Sequence, residues 1–285
     1  MTTIYRTEAG REQIRGWCLD RLDSWPVPHE RDVFSAGGAA THAVIAGSPG
    51  PSGTTVVLVP GTNFNAAASL PLADALLTAG HRVVLLDVPG QPGLSSGERG
   101  LAKGRLGWYG SWLHEAVAET CEGRPVTVLG HSFGAAIALS ASSAPIERLV
   151  LVSPGGLSSL RLPPALLAAS AAWFLRPTPA RSARLLRAML APGHEPRAEL
   201  VEWMTLVARH ARSSGAPGLA EPGARKVPVT AVTGEHDVFL PPERLRPAVR
   251  TRLGGGAELG VVPDAGHLVV EEFPERIAAL VSPGR

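Results

Sequence analysis

Residues 125–139, PVTVLGHSFGAAIAL, constrain this chain more than any other stretch. Residues 126–129 form a brief apolar run of the kind a parallel sheet buries on both faces, and residues 135–139 are small and helix-favouring. Between them stands Gly130-His131-Ser132-Phe133-Gly134. Glycines flank a serine in this way where a strand turns into a helix so sharply that β-carbons would collide, and the hydroxyl is thrust out above the sheet. Ser132 then stands at a helix N-terminus, whose free amides favour developing negative charge. The five-residue pattern is short, and residues 93–97, GLSSG, repeat it. The run that follows them, ERGLAKG, has no apolar period and two more glycines, so Ser95 belongs to a loop and Ser132 to the turn.

At 285 residues, 45% of them hydrophobic, the chain can bury a full core in one large α/β unit with an inserted subdomain. Cys18 and Cys121 make no disulfide framework, and residues 1–6, MTTIYR, lack the apolar core of a signal peptide. A reducing, cytoplasmic setting is expected. The longest apolar stretch, residues 163–175, is too short to span a bilayer, so no membrane span is expected. Of 27 basic residues only Lys103 and Lys226 are lysines, a compositional bias without any nucleic-acid-binding motif, and no nucleic acid partner is expected.

Taken in order, the chain begins with a helix over about residues 7–24, with Ile14, Trp17, Cys18 and Leu22 on one face, ended by Pro26 and Pro28. A hairpin follows, with Gly37-Gly38 in its turn, then a loop over residues 47–54. Residues 55–59 and 82–87 read as buried strands, joined by a helix with Ser69 as N-cap, Pro71 in its first turn and Gly80 beyond its end. A glycine-rich loop over residues 88–105 leads to a helix with Leu106, Tyr109, Leu113, Ala116, Val117 and Thr120 on one face. Residues 148–153 form the strand after the serine turn. This β-α alternation predicts a mostly parallel central sheet with helices on both faces. Residues 157–226 then keep a helical period without a strand, broken at Pro177-Thr178-Pro179, Pro192-Gly193 and Ser213-Ser214-Gly215. They read as an inserted helical cap between core parts 1–156 and 227–285, where strands recur at 227–233 and 257–262 and Pro274 opens a last helix.

A serine hydroxyl needs a base within hydrogen-bond reach and a third group to orient that base. The chain has nine histidines. His29, His42 and His81 precede or open strands, which places them at the sheet end away from Ser132. His114 lies on a surface helix, His194 and His210 belong to the cap, and the His131 side chain is expected to point elsewhere on so sharp a turn. His236 and His267 remain, each following one of the last two strands. Ligands of open α/β sheets bind outside the carboxyl ends of strands, where Ser132, Asp237 and His267 all fall, in that order.

That order, with the serine turn, makes the chain resemble the α/β-hydrolase fold superfamily from about Val33 onward. Residues 25–28, WPVP, the run from Thr41 to Gly47, and residues 87–95, DVPGQPGLS, are similar to bacterial carboxylesterase-like serine hydrolases. The resemblance implies Ser132 as nucleophile, His267 as general base and then acid, and Asp237 as the carboxylate that fixes the imidazole tautomer. It also implies an oxyanion hole from the Phe133 N–H and, in the loop after residues 55–59, the Thr62 N–H; Pro60-Gly61 stands there in place of the common His-Gly. Asp237 also reads as an ordinary turn aspartate. Asp264 is the rival acid, Glu235 reads as solvated, and Asp87 as capping its own loop. No cofactor is implied, there being no phosphate-cradling glycine loop and no clustered Cys/His metal set.

The expected activity is cleavage of a small-molecule ester or thioester through an acyl-enzyme. Asn63, Trp173, Phe174, Trp203, Met204 and Leu206 are candidate pocket walls, or packing between cap and core. Residues 157–226 carry nine arginines and Lys226 against four glutamates, a net +6 that leaves −4 elsewhere. Arg181, Arg184 and Arg187 share one helix face, a solvated surface or a basic lid for an anionic substrate or an acidic acyl-carrier protein. An acyltransferase or thioesterase acting on a carrier-bound acyl group is the competing activity. A non-catalytic ligand receptor is the competing class.

Overall fold

The computed structural model describes residues 2–50, 53–99, 105–141, 145–212, 215, 218–221, 227–254 and 256–281. Within them eight strands form one sheet: β1 (His29–Ala36), β2 (Ala39–Ala46), β3 (Thr55–Val59), β4 (Arg82–Leu86), β5 (Val126–His131), β6 (Ile146–Val152), β7 (Val229–Gly234) and β8 (Leu259–Val262). Their spatial order is β8-β7-β6-β5-β3-β4-β2-β1. Every pair from β8 to β4 is parallel, and β2 runs antiparallel to both of its neighbours. The expected mostly parallel sheet is therefore present. Gly37 and Gly38, both at positive φ, turn β1 into β2 within two residues, the tight hairpin turn that only such a backbone allows.

Successive strand residues face opposite sides, so each side has its own core. Val56 and Leu58 pack with α1 (Glu8–Asp23), α2 (Leu70–Thr78) and α10 (Pro274–Ala279), the last preceded by the short α9 (Val269–Glu272). Val57 and Val59 pack with α3 (Arg105–Cys121), α4 (Phe133–Ser140) and α8 (Pro242–Leu253). Each buried aliphatic side chain in these layers contributes roughly 1.5–3 kcal/mol. Thr7 caps α1 by accepting the Gly10 N–H at 3.0 Å. Ser69 does not cap α2 in this way. Its hydroxyl donates instead to Asn65 O at 2.7 Å, and Asn65 Oδ1 takes the Ala68 N–H at 2.8 Å, because a turn of 3-10 helix over Ala67–Ser69 precedes α2.

Between β6 and β7 lie α5 (Pro164–Leu175), α6 (Pro179–Arg187) and α7 (Ala198–His210). Their break points are chemical: Thr178 accepts the Arg181 N–H at the start of α6, and Gly193 takes φ +88 after it. The buried Ser182 and Thr205 hydroxyls, 2.8 Å apart, join α6 to α7. Leu186, Trp203 and Met204 share one apolar body with Val232 and Val262 of the sheet. The expected break at Ser213-Ser214, the cap's end at Lys226, and Lys103 lie outside the described residues. No helix among the described residues is long and apolar enough to cross a membrane.

Ser95 sits in the loop after β4, as its context predicts, but it is buried. Its hydroxyl donates to Asp87 O at 2.6 Å and accepts the His42 N–H at 2.8 Å, tying loop to sheet. Ser95→Ala leaves a buried amide unpaired, so urea denaturation is expected to show a loss of about 1–3 kcal/mol with turnover retained.

Candidate active site

At the junction of β5 and α4, Ser132 adopts φ 52 and ψ −107, a conformation a residue with a side chain holds only under constraint. The Ser132 N–H donates to Val152 O at 2.9 Å, and its carbonyl accepts the Gly155 N–H at 3.1 Å. A β-carbon on Gly134 would collide with the Val59 carbonyl, and one on Gly130 would lie 2.6 Å from Gly134 O. The two glycines are thus demanded by the close approach of strand and helix, and the serine is left at the apex.

Asp237 and His267 follow β7 and β8 at the same edge of the sheet. His267 Nε2 lies 3.1 Å from Ser132 Oγ, and Nδ1 lies 2.9 and 3.0 Å from the Asp237 carboxylate oxygens. His267 and Asp237 are buried. Burial alone would raise the Asp237 pKa, but the His267 imidazole and the Leu240 amide hold its carboxyl well below the usual carboxylate range. An ionised Asp237 accepts the Nδ1 proton, which leaves Nε2 as an acceptor facing the serine hydroxyl. Oδ1 also accepts the Phe239 and Leu240 N–H groups at 2.9 and 2.8 Å, so its turn-shaping role and its contact with His267 coexist.

The His267 backbone is clamped as well. Its N–H donates to Met189 O at 2.7 Å, its carbonyl accepts His131 Nε2–H at 2.9 Å, and the Gly266 N–H donates to Glu272 Oε2 at 2.8 Å. Glu272 escaped sequence reading although it lies only five residues beyond His267. Asp264 is exposed and meets His194 at 3.5 Å, and Glu235 is exposed and accepts the Asp264 N–H. The exposed His236 takes no part in the cluster.

His42 departs from expectation. Because β2 alone opposes its neighbours, its start lies at the carboxyl end of the parallel strands, and His42 Nδ1 comes 3.3 Å from Asp87 Oδ2. Asp87 accepts the Ala66 and Leu94 N–H groups at 2.7 and 2.8 Å, binding two loops together. His131, expected to turn its side chain elsewhere, directs Nε2 to the His267 carbonyl and so supports the His267 loop.

Burial, then the neighbouring His267, drives the His131 pKa from 6.5 down to about 3. Below pH 6.5 the unfolded chain binds a proton that the folded chain refuses, so stability falls as pH drops through that window. The depressed Asp237 acts in the same direction at lower pH. Glu271, raised by burial against the opposing pull of Arg197, offsets part of the loss. Unfolding at pH 5 is expected to be easier than at pH 7, with on the order of 2 kcal/mol from His131. His131→Gln, whose amide can still donate to His267 O, should flatten that profile. Equal pH slopes in the two proteins would contradict the assignment.

The turn over residues 61–64 faces Ser132. Phe64 N–H donates to Gly61 O at 3.1 Å and Asn63 N–H to Gln91 Oε1 at 3.0 Å, while the Thr62 N–H has no acceptor among the described residues. Phe133 N–H, the first amide of α4, has no intrahelical partner. These are the two amides expected to face a developing oxyanion.

A cavity of about 310 Å³ opens on Ser132 and His267. Asn63, Trp173 and Met204 line it as expected, and the Trp173 indole donates to Met204 O at 3.0 Å. Phe174 and Trp203 do not line it. One step round α5 from Trp173, Phe174 packs under the Arg6 guanidinium at 4.4 Å. Trp203 turns toward α1, its ring 4.7 Å from that of Trp17. Leu206 is half-buried off the cavity. Leu160, Leu162, Leu185, Met189, Phe239 and Leu268 complete the apolar wall, and no charged side chain joins it among the described residues. Phe239 and Leu268 were findable as neighbours of Asp237 and His267. Among the described residues no group of three or more His, Cys, Asp or Glu could hold a metal ion.

On α6, Arg187 is paired with Glu195 at 2.8 Å and Arg181 donates to Arg176 O at 2.9 Å. Arg197 is paired with the buried Glu271 at 2.7 Å.

The sequence matches the profile of the Alpha/beta hydrolase family over residues 56–280. No curated protein matches it in sequence. Among solved structures, carboxylesterase CesB of Bacillus subtilis superposes with a TM-score of 0.77 at 17% identity, covering 96% of this chain and 97% of that one. Naproxen esterase of Bacillus subtilis gives 0.72 at 18% identity, with 96% of each chain covered. The 2-hydroxy-6-oxo-6-phenylhexa-2,4-dienoate hydrolase of Rhodococcus sp. strain RHA1 gives 0.66 at 19%, covering 89% of this chain and 97% of that one. At such identities the likeness is one of fold.

Proposed function

We propose that this chain, which belongs to the alpha/beta hydrolase family, hydrolyses a small uncharged carboxylic ester through an acyl-enzyme on Ser132. The observation that carries this reading is the Asp237–His267–Ser132 relay, with contacts of 2.9 and 3.1 Å, at the mouth of an apolar cavity. His267 Nε2 takes the Ser132 proton as Oγ attacks the ester carbonyl. The resulting oxyanion is held by the Thr62 and Phe133 amides, fixed donors that need no reorganisation. His267 then passes its proton to the leaving alkoxide. Water enters, gives a proton to His267 and attacks the acyl-enzyme, and collapse of the second tetrahedral species returns the proton to Ser132.

The helices α5 to α7 act as the cap that walls the acyl pocket. With no charged side chain among the described residues of that wall, a carboxylate on the acyl chain would be desolvated without a partner, which is costly. Neutral acyl p-nitrophenyl esters are therefore expected to exceed an equally long half-ester of a dicarboxylic acid in kcat/KM by at least about 10²-fold. Equal kcat/KM values would refute the apolar pocket. A carrier-bound acyl group is less well supported, because of the three arginines expected to share a basic face two are engaged within the protein, Arg187 by the Glu195 carboxylate and Arg181 by the Arg176 carbonyl, which leaves Arg184.

A further inference from the structure

We propose that Trp203 is a positioning residue: from α7 of the cap it locks the turn that presents the Thr62 amide, making the oxyanion hole depend on the cap. The inference rests on the reading of Thr62 given above. Asn63 is a non-glycine residue at φ +65 in the third position of a four-residue turn closed by Gly61 O and the Phe64 N–H. Glycine and asparagine are the residues that most readily take such a backbone, and the turn stays rigid only where its peptide groups are held. Two side chains from different parts of the chain hold it here. Gln91, buried in the loop after β4, accepts the Asn63 N–H at 3.0 Å. Trp203, fully buried on α7, donates its indole N–H to the Asn63 carbonyl at 2.7 Å.

Both peptide groups of Asn63 are thus fixed, and Thr62 lies between this clamp and Gly61, which packs against His131 and Ser132. Trp203 is itself stacked on Trp17 of α1, whose indole donates to Glu202 Oε2 at 3.1 Å. The chain of contacts runs from α1 through α7 to the turn. Movement of α7 away from the sheet releases Asn63, and displacement of a reacting group by about 1 Å costs on the order of 10²-fold in rate. Ester turnover is therefore competent only with α7 seated.

The test compares Trp203→Phe with Trp17→Phe in the full-length protein. Both remove an indole from the same stacked pair, but only the first removes the donor to Asn63. Trp203→Phe is expected to lower kcat by about 10- to 100-fold with KM unchanged, and to weaken binding of an arylboronic acid, a tetrahedral mimic, by the same factor. Trp17→Phe, at a half-buried position whose indole hydrogen bond is exposed, is expected to lower the melting temperature by less while kcat and boronate affinity hold. If Trp203→Phe does not fold, Gln91→Leu, which frees the other side of Asn63, carries the same expected signature. Equal kcat losses in the two Trp variants, or a change confined to KM, would overturn the proposal. Fluorophosphonate labelling of the wild type separates the failures. With Ser132 labelled, an unimpaired Trp203→Phe enzyme removes the latch alone; with Ser132 unlabelled, the site reading and the latch fall together.

Discussion

Replacing Ser132 by Ala is expected to lower kcat for ester hydrolysis by about 10⁵–10⁶-fold while the protein folds normally. The half-buried hydroxyl has His267 Nε2 as its hydrogen-bond partner at 3.1 Å, and alanine lifts no constraint on the backbone of the turn. Catalysis alone depends on that oxygen. Ser95, with the same flanking glycine pattern, provides the contrast: its alanine variant loses stability and keeps turnover. A Ser132→Ala enzyme that hydrolyses esters at even a hundredth of the original rate would end the assignment.

The second large effect is expected from Asp237→Asn, about 10⁴-fold in kcat. The asparagine oxygen can keep the two amide contacts from Phe239 and Leu240, which directs its NH₂ group at His267 Nδ1. That nitrogen must then accept, the imidazole proton moves to Nε2, and the base toward Ser132 is lost. Stability changes less, since Thr233 Oγ1 can donate to Leu240 O at 3.2 Å when it no longer bonds the carboxylate. Asp264→Asn, on an exposed side chain that faces His194, is expected to leave kcat as it was. Stopped-flow or steady-state assays of the two variants side by side decide between the two acids. A larger loss from Asp264→Asn would contradict the geometry.

What could be read from the sequence and what could not divide along the range of the physics. The serine turn was legible because its demands are local: an apolar run, two glycines, a small-residue helix. So were the bounds of β3, the break that precedes α6, and the order of Ser132, Asp237 and His267, which follows from alternation of strands and helices. The direction of β2 depends on which strand it pairs with, and His42 was therefore placed at the wrong end of the sheet. Trp173 and Phe174 are adjacent in sequence, and only the seating of α5 on the sheet decides which of them meets the cavity. The Ser69 hydroxyl went to Asn65 because a tight turn precedes α2, and sequence spacing does not register that competition. Gln91, from the loop after β4, and Glu272, from the short helix Val269–Glu272, hold backbone groups of the site, a role that no local pattern announces.

The central claim is that Ser132, and no other serine of the chain, is activated by His267 and Asp237. It is tested most directly by reacting the intact protein with a fluorophosphonate and mapping the modified residue by peptide mass spectrometry. The account predicts a single phosphonyl adduct on Ser132, strongly diminished in the Asp237→Asn protein and absent from Ser132→Ala. An adduct on Ser95 or another serine, or an unmodified Ser132 after prolonged reaction, would contradict it.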